Sequence, residues 1–234
     1  MSRTREGGPD PQAYDAGPYL PQDGGLSEYR RAAADCRGCP LYANATRTVF
    51  GSGDPAARLV LVGEQPGDRE DTVGEPFVGP AGRVLRRALE DVGIDADTVY
   101  MTNAVKHFKF TREGRGKRRI HKAPSLRETT ACRPWLVAEL QLVDPDVVVA
   151  LGATAGKALL GSSFSVTRNR GSLIPMPGLT PTSDEGDGES GRDRAPERYV
   201  VATLHPSAIL RSDDRETAYA GMRADLLVAA EALA

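Results

Sequence analysis

An uninterrupted apolar run, LVLV at residues 59–62, is followed at once by a loop of glycine and proline, GEQPG at residues 63–67. Four apolar residues in a row between turn signals are typical of a strand buried on both faces of a parallel sheet. A helical pattern covers about residues 81–92, so the intervening loop joins a strand to a helix N-terminus. Ligand sites of open parallel sheets lie at this place, and the loop is longer than a connection requires. The segment therefore predicts a ligand-binding loop, which also carries Phe77 between a proline and a glycine.

Three more strand patterns recur at residues 98–105, 146–151 and 199–204, and helical patterns separate them. This alternation predicts an α/β fold, a three-layer αβα sandwich with a central four-stranded parallel sheet. Polar residues follow the strands at Glu64 and Asn103, and His205 follows the last strand. Because the carboxyl ends of parallel strands share one edge of the sheet, we expect these side chains to form one site.

The rest of the chain is expected to add only tails and loops to this domain. Residues 1–25 have the composition of a disordered tail, residues 26–234 are assigned to one domain, and about residues 177–197 resemble a flexible insertion. Residues 106–122 are expected to form a polar loop without regular structure. A proline at position 134 is expected to kink or split the long helix predicted before residue 143.

Composition restricts the possible partners and the compartment. The 234 residues carry a formal net charge of −2 and a pI of about 6.0, which argues against a generally basic nucleic-acid binder. Any nucleic-acid affinity must therefore come from a local patch. Three cysteines are an odd set for a disulfide framework, and the sequence shows neither an apolar leader nor a long membrane span. We expect a monomer in the reducing cytoplasm, without a membrane partner.

Five short motifs together resemble one protein family. They are GEQPGD at 63–68, GEPFVG at 74–79, NAVK at 103–106, KRRIH at 117–121 and HPS at 205–207. The chain resembles the uracil-DNA glycosylase superfamily, in particular its iron–sulfur family 4 branch and the cross-linking UdgX type, over about residues 36–234. The KRRIH segment is similar to the insertion that marks the UdgX type. No Walker-type or GxGxxG loop is present, which argues against a small-molecule nucleotide enzyme.

The resemblance implies a pocket for a flipped uracil. By this likeness Phe77 stacks on the base, Asn103 reads its edge, and His205 meets O2 and stabilises the departing base, while backbone amides near Gln65 and the side chain of Asp68 complete the pocket. The alternative for Phe77 is packing in the core, and the alternative for Asn103 is a turn at a strand end.

A cysteine pair at Cys36 and Cys39 has a spacing at which two thiolates can bind one metal. In the family 4 pattern, four cysteines hold a [4Fe–4S] cluster. The matching positions here hold Cys36, Cys39, His107 and Cys132, so the resemblance implies a cluster with three cysteines and one histidine. Zinc is the alternative, since it also accepts this ligand set.

Residues 106–122 contain eight basic residues and one acidic residue. In an otherwise acidic chain, next to a strand-end site, such a run predicts a phosphate-binding strip rather than a solvated surface. The expected partner is uracil-containing DNA, single-stranded as well as duplex. The DNA-binding assignments are Lys117, Arg118, Arg119, Ser207 and Arg211.

His121 ends the basic run and is one of only three histidines in the chain. In the UdgX type the histidine of this loop adds to the sugar C1′ after the base leaves, and the resemblance implies the same for His121, with Glu64 orienting the ring. The catalytic assignments are therefore His121, Glu64 and His205. Two alternatives stay open: an ordinary multiple-turnover glycosylase in which His121 only contacts DNA, and a non-catalytic, metal-stabilised nucleic-acid binder.

Overall fold

The structure is a computed structural model that describes residues 14–114, 118–177 and 198–234. Its strands, in chain order, are β1 Ser52–Gly53, β2 Leu59–Gly63, β3 Tyr100–Asn103, β4 Phe110–Glu113, β5 Arg118–His121, β6 Val147–Leu151, β7 Leu173–Pro175 and β8 Tyr199–Thr203. Its α-helices are α1 Leu26–Ala33, α2 Asp68–Val73, α3 Pro80–Asp91, α4 Leu126–Val143, α5 Ala153–Leu160, α6 Val166–Asn169, α7 Pro206–Arg211 and α8 Arg215–Leu233. None of the helices in these ranges is long and apolar enough to cross a membrane.

Six of the strands form one sheet in the order β1-β3-β2-β6-β8-β7. The four central strands, β3, β2, β6 and β8, run parallel to one another, while β1 and β7 pair antiparallel at the edges. The predicted αβα fold with four parallel strands is therefore confirmed. The two edge strands were not predicted, because runs of two and three residues carry no periodic signal.

Both faces of the sheet are covered. On β2, Leu59 and Leu61 face one apolar cluster with α3 and α8, while Val60 and Val62 face a second cluster with α4 and α5. Alternate residues of a strand point to opposite faces, so an unbroken apolar run is what a strand between two helix layers requires. The helix layers leave the carboxyl edge of the parallel strands open, and the predicted polar residues lie there.

Two segments predicted to be irregular are ordered in the structure. Residues 110–113 and 118–121 pair as two antiparallel strands, β4 and β5, with Phe110 opposite His121. Residues 14–25, which the sequence assigned to a disordered tail, include a short 3-10 helix, and the backbone N–H of Ala16 donates to the carbonyl of Ala131 at 2.9 Å. Residues 1–13 of that tail, and residues 178–197 of the predicted insertion, lie outside the described residues.

Helix α4 runs from Leu126 to Val143 without a break, although Pro134 lies inside it. The predicted split is therefore wrong. A proline in a helix interior costs about 3 kcal/mol. Trp135, Leu136 and Leu140 are all fully buried after the proline, and this apolar burial offsets the cost.

Candidate active site

The candidate site is a cleft of about 850 Å³ at the carboxyl edge of the parallel strands. Its walls come from the loop after β2, the end of β3, the β4–β5 hairpin and the segment after β8. The side chains relevant to chemistry that line it are Glu64, Phe77, Asn103, His121 and His205. A volume of this size suits a small organic ligand. The structure thus brings together the strand-end residues that the sequence placed in one site.

Phe77 is held in a strained backbone conformation, with φ of 56°, which non-glycine residues rarely adopt. Its ring lines the cleft with a centroid 6.4 Å from that of His205, and the two planes differ by 29°. A Cβ on Gly63 would lie 2.7 Å from the ring, and one on Gly82 would lie 1.7 Å from the Phe77 carbonyl oxygen. Both glycines are therefore required for the position of the ring. Phe77 also belongs to the apolar cluster of α3, so the ring has one side in the core and one side toward the cleft.

Asn103 ends β3 and is only 3% exposed, yet it lines the cleft. Its backbone carbonyl accepts a hydrogen bond from the Lys106 ammonium at 2.8 Å. The side-chain amide lies on the cleft wall, where it can offer both a donor and an acceptor to a ligand.

His205 is partly buried, and the loss of solvation lowers its pKa to about 4, against the opposing effect of Glu64. The ring is therefore neutral at pH 7. Its Nδ1 accepts a hydrogen bond from the backbone N–H of Ser207 at 3.2 Å, so the single ring proton must lie on Nε2. His205 can thus offer an N–H donor, without a positive charge, to a ligand in the cleft.

Glu64 and His121 form the second polar pair of the cleft. Nε2 of His121 lies 3.3 Å from Oε1 of Glu64, and the hydroxyl of Thr154 donates to Oε2 at 2.5 Å. Burial raises the pKa of Glu64, but the hydrogen bonds from His121 and Thr154 and the nearby imidazoles outweigh that effect and lower it overall. The carboxylate is therefore ionised at neutral pH, and His121, half-exposed on the hairpin, is oriented by it.

The base of the hairpin is tied to the loop after β2 by Gln65. Its side-chain amide donates to the carbonyls of Lys109 and Lys122, at 3.2 and 3.0 Å, and its oxygen accepts from the Lys109 N–H at 3.1 Å. These three hydrogen bonds use the side chain of Gln65, and the backbone amides near it are the groups predicted to bind a ligand. The position of His121 depends on these hydrogen bonds, because Lys122 follows it directly in the chain.

Arg119, predicted to bind DNA, faces the protein instead. Its guanidinium donates to Asp68 and to the fully buried Asp71, each at 2.5 Å, and lies over the rings of Phe108 and Phe110. Asp68, predicted to contact the base, is therefore paired with Arg119. Arg119 and His121 lie on the same face of β5, where both contact the ring of Phe108, while Arg118 is exposed. The ion pairs of Arg119 with Asp68 and Asp71 hold β5, and with it His121, against α2.

The other residues predicted to contact DNA lie in different parts of the structure. Ser207 and Arg211 line the cleft, and Arg118 is exposed on β5. Lys117 lies outside the described residues. Arg69, which sequence reasoning missed, also lines the cleft. Arg69 closely follows the predicted ligand-binding loop, and this position in the chain could have indicated that it belongs to the site.

The three cysteines are buried free thiols in one apolar cluster with Trp135. The indole N–H of Trp135 donates to Sγ of Cys36 at 3.2 Å, and the backbone N–H of Lys106 donates to Sγ of Cys132 at 3.3 Å. Such N–H donors to sulfur stabilise thiolate ligands of iron–sulfur clusters. The thiols therefore have the surroundings that a cluster needs.

His107 is buried in the chain segment after β3, and burial lowers its pKa to about 4. The Thr48 hydroxyl donates its only proton to the carbonyl of Ala33 at 2.9 Å, so its 2.9 Å contact with His107 must use the Nε2–H of the ring. Nδ1 of His107 then keeps a free lone pair. Metal-binding histidines are commonly oriented in this way by a partner on the other nitrogen.

Within the described ranges, no three His, Cys, Asp or Glu side chains come close enough together to hold a metal ion. A single zinc would need its ligands at about 2.0–2.3 Å from one point. The three buried thiols, two of which accept a hydrogen bond from an N–H donor, are donors that an iron–sulfur cluster can use.

The fold and the cleft define an α/β protein with a strand-end site for a planar, hydrogen-bonding ligand. The chain belongs to the uracil DNA glycosylase superfamily, whose family model matches residues 50–227. It is 36% identical over 182 residues to the type-4 uracil-DNA glycosylase of Thermotoga maritima, which covers 77% of this chain and 81% of that protein. It is 33% identical over 190 residues to the type-4 uracil-DNA glycosylase of Sulfurisphaera tokodaii, with 79% and 76% covered. The type-5 uracil-DNA glycosylase of Thermus thermophilus is 33% identical over 162 residues, covering 61% of this chain and 68% of that protein.

These matches confirm the predicted superfamily and the likeness to its type-4 members. The assignment to the cross-linking UdgX type stays a prediction.

Proposed function

We propose that this protein is a uracil-DNA glycosylase that excises uracil and then becomes covalently linked to the sugar through His121. The observation that carries the first part is the position of the Asn103 amide on the wall of the cleft that Phe77 and His205 also line, in a member of this superfamily. The observation that supports the second part is the Glu64–His121 pair, 3.3 Å apart in the same cleft.

Recognition of the base would come from three side chains. Phe77 would stack on the uracil, a contact of about 1–3 kcal/mol. The Asn103 amide would donate to O4 and accept from N3–H, whereas cytosine would present a donor to a donor. Leaving buried polar groups unpaired in this way discriminates by about 10⁴-fold. The Nε2–H of His205 would donate to O2.

Cleavage of the C1′–N1 bond sends its electron pair onto the uracil and leaves positive charge at C1′. The Nε2–H of His205 stabilises the charge that develops on O2, and the ionised Glu64 stabilises the cationic sugar. Both groups are fixed before the reaction, by Ser207 and Thr154 respectively. Neither has to reorganise as charge develops.

The cationic C1′ is then captured by a nucleophile. A neutral imidazole has one N–H, which Glu64 can accept, and one lone pair on its other nitrogen. His121 forms a bond to C1′ through the lone-pair nitrogen, and the uracil anion takes a proton from water. The resulting N-alkylated imidazole is a poor leaving group, so the protein would act once per uracil. If water attacks instead, the protein is an ordinary multiple-turnover glycosylase.

The test is to incubate the wild-type protein with a single-stranded oligonucleotide that contains one uracil. We expect free uracil together with a protein–DNA species that survives heat and SDS. Its intact mass should equal protein plus oligonucleotide less one uracil, and peptide mapping should place the link on His121. A matched strand with cytosine in place of uracil should give neither product. Free abasic product with repeated turnover would contradict the adduct, while no uracil release would contradict the glycosylase activity itself.

We also propose that Cys36, Cys39, His107 and Cys132 hold a [4Fe–4S] cluster. When bound, it would supply a structural cross-link rather than redox chemistry. Its ligands would tie the N-terminal segment to α4 and to the chain between β3 and the hairpin.

Replacement of Thr48 tests this assignment through metal retention. In Thr48→Val the His107 ring loses the partner that keeps the proton on Nε2. Loss of such an orienting partner commonly weakens metal binding by about 10–100-fold. We expect iron to be lost to a chelator faster by about that factor, measured as iron per protein and as visible absorbance. The control is Thr98→Val, which also removes a hydroxyl that donates to a carbonyl but contacts no histidine. Equal iron retention in both variants, or zinc in place of iron, would contradict the proposal.

A further inference from the structure

A second groove, of about 760 Å³, lies between α4 and α5. Its floor and walls are mainly apolar and include Pro124, Leu126, Ala158 and Leu159. Leu126 is 66% exposed, which is unusual for a leucine at the start of a long helix. The groove is separate from the cleft of the candidate active site.

Two cations line the groove, Arg133 on α4 and Lys157 on α5. Neither side chain has an acidic partner among the residues that the structure describes, and the hydroxyl groups of Thr130 and Ser162 lie in the same groove. Two other cations of the region, Arg119 and Lys109, are used internally. Arg119 pairs with Asp68 and Asp71, and Lys109 pairs with Glu128. Two unpaired cations can contact phosphates of a nucleic-acid strand, and the aliphatic floor of the groove offers its bases an apolar surface.

The groove continues the candidate active site. Thr154 lines the groove and also donates to Glu64, which lines the cleft. On the opposite side, Ala123 lines the cleft and Pro124 lines the groove. A strand whose uracil occupies the cleft can pass directly from it over this rim into the groove. An acidic peptide would match the charges as well, but nothing would place it next to a nucleotide site.

We propose that the α4–α5 groove binds the part of the single strand that flanks the uracil, with Arg133 and Lys157 contacting its phosphates. This inference rests on the proposed function, because it assigns the path of that same DNA. It also predicts that binding strengthens once the strand is long enough to reach from the cleft into the groove.

The experiment compares wild type with the double variant Arg133→Gln/Lys157→Gln. The matched control is Arg86→Gln/Arg215→Gln, two exposed cations on α3 and α8 of the opposite helix layer. Binding is measured by fluorescence anisotropy on uracil-free oligothymidylate strands of about 4 and about 16 nucleotides, over a range of salt concentrations. For the groove variant we expect about tenfold weaker binding to the long strand and a log–log salt slope smaller by about 1.4, as for two phosphates on single-stranded DNA. Its binding to the short strand should equal that of wild type.

Three results would overturn the proposal: unchanged long-strand affinity and slope, equal losses on both strands, or displacement of the long strand by an oligoglutamate peptide at the same ionic strength. Thermal unfolding of each variant shows that it folds. Uracil release by wild type is measured separately. If that reaction fails, the proposed function is wrong, while the measurements on uracil-free strands still report on the groove.

Discussion

His121→Ser is expected to abolish the SDS-stable adduct while free uracil is still released. Serine removes the imidazole that lies 3.3 Å from Glu64, and it leaves Asn103, His205 and Phe77 in place to bind the base. Water can then reach C1′ from the side that the ring occupied. Because no covalent bond retains the product, the variant should turn over repeatedly. Adduct yield should fall by at least about 100-fold, the scale on which removal of a nucleophile acts.

The matched control is Lys122→Ser on the neighbouring, exposed position of the same hairpin. That variant keeps the imidazole and the backbone contacts of residue 122 with Gln65, so it should cross-link as wild type does. Released uracil and gel-shifted protein are measured on the same samples. An adduct that persists in His121→Ser would assign the nucleophile to another residue. Loss of uracil release in a folded His121→Ser protein would show that the ring is needed before C1′ is captured.

Glu64, Asn103 and His205 were predictable as one group from the sequence. Glu64 and His205 follow apolar runs and Asn103 follows a run of β-branched and aromatic residues, all typical of buried strands, and parallel strands bring their ends to one edge. The central sheet was predictable for the same reason. The edge strands β1 and β7 were not, because pairing at an edge buries little and leaves no apolar pattern.

The hairpin of β4 and β5 shows why the rest of the site was harder to predict from the sequence. Its residues are polar on both faces, so alternation between apolar and polar positions, the usual strand signal, is missing. The inward position of Arg119 depends on Asp71, which is 48 residues away in the chain. The Thr48–His107 contact spans 59 residues. Local patterns carry no information on such pairs, so the basic run could be interpreted only as a DNA-binding strip.

A buried ion pair beneath the cleft gives the largest expected effect on stability. Lys106 and Glu139 are 1% and 0% exposed in their side chains and are paired with each other. The ammonium also donates to the Thr102 hydroxyl at 2.7 Å and to the Asn103 carbonyl at 2.8 Å. Glu139 accepts from the Gly51 N–H at 2.7 Å and from the Tyr100 hydroxyl at 3.1 Å. The pair therefore joins α4 to β3 directly under the residue proposed to read the base.

Lys106→Met is expected to lower the free energy of unfolding by about 3–5 kcal/mol, because it leaves the Glu139 carboxylate buried without a counter-charge. Lys109→Met is the matched control, since it breaks the Lys109–Glu128 pair, in which the lysine is 30% exposed and the loss should stay below about 1 kcal/mol. The measurement is the urea midpoint of each variant at neutral pH. Adding Glu139→Gln to Lys106→Met should restore part of the loss, because the amide needs no counter-charge and can still accept hydrogen bonds from Gly51 and Tyr100. Equal midpoints for the two single variants would show that the buried carboxylate finds another partner, and that the ion pair is not what holds α4 against β3.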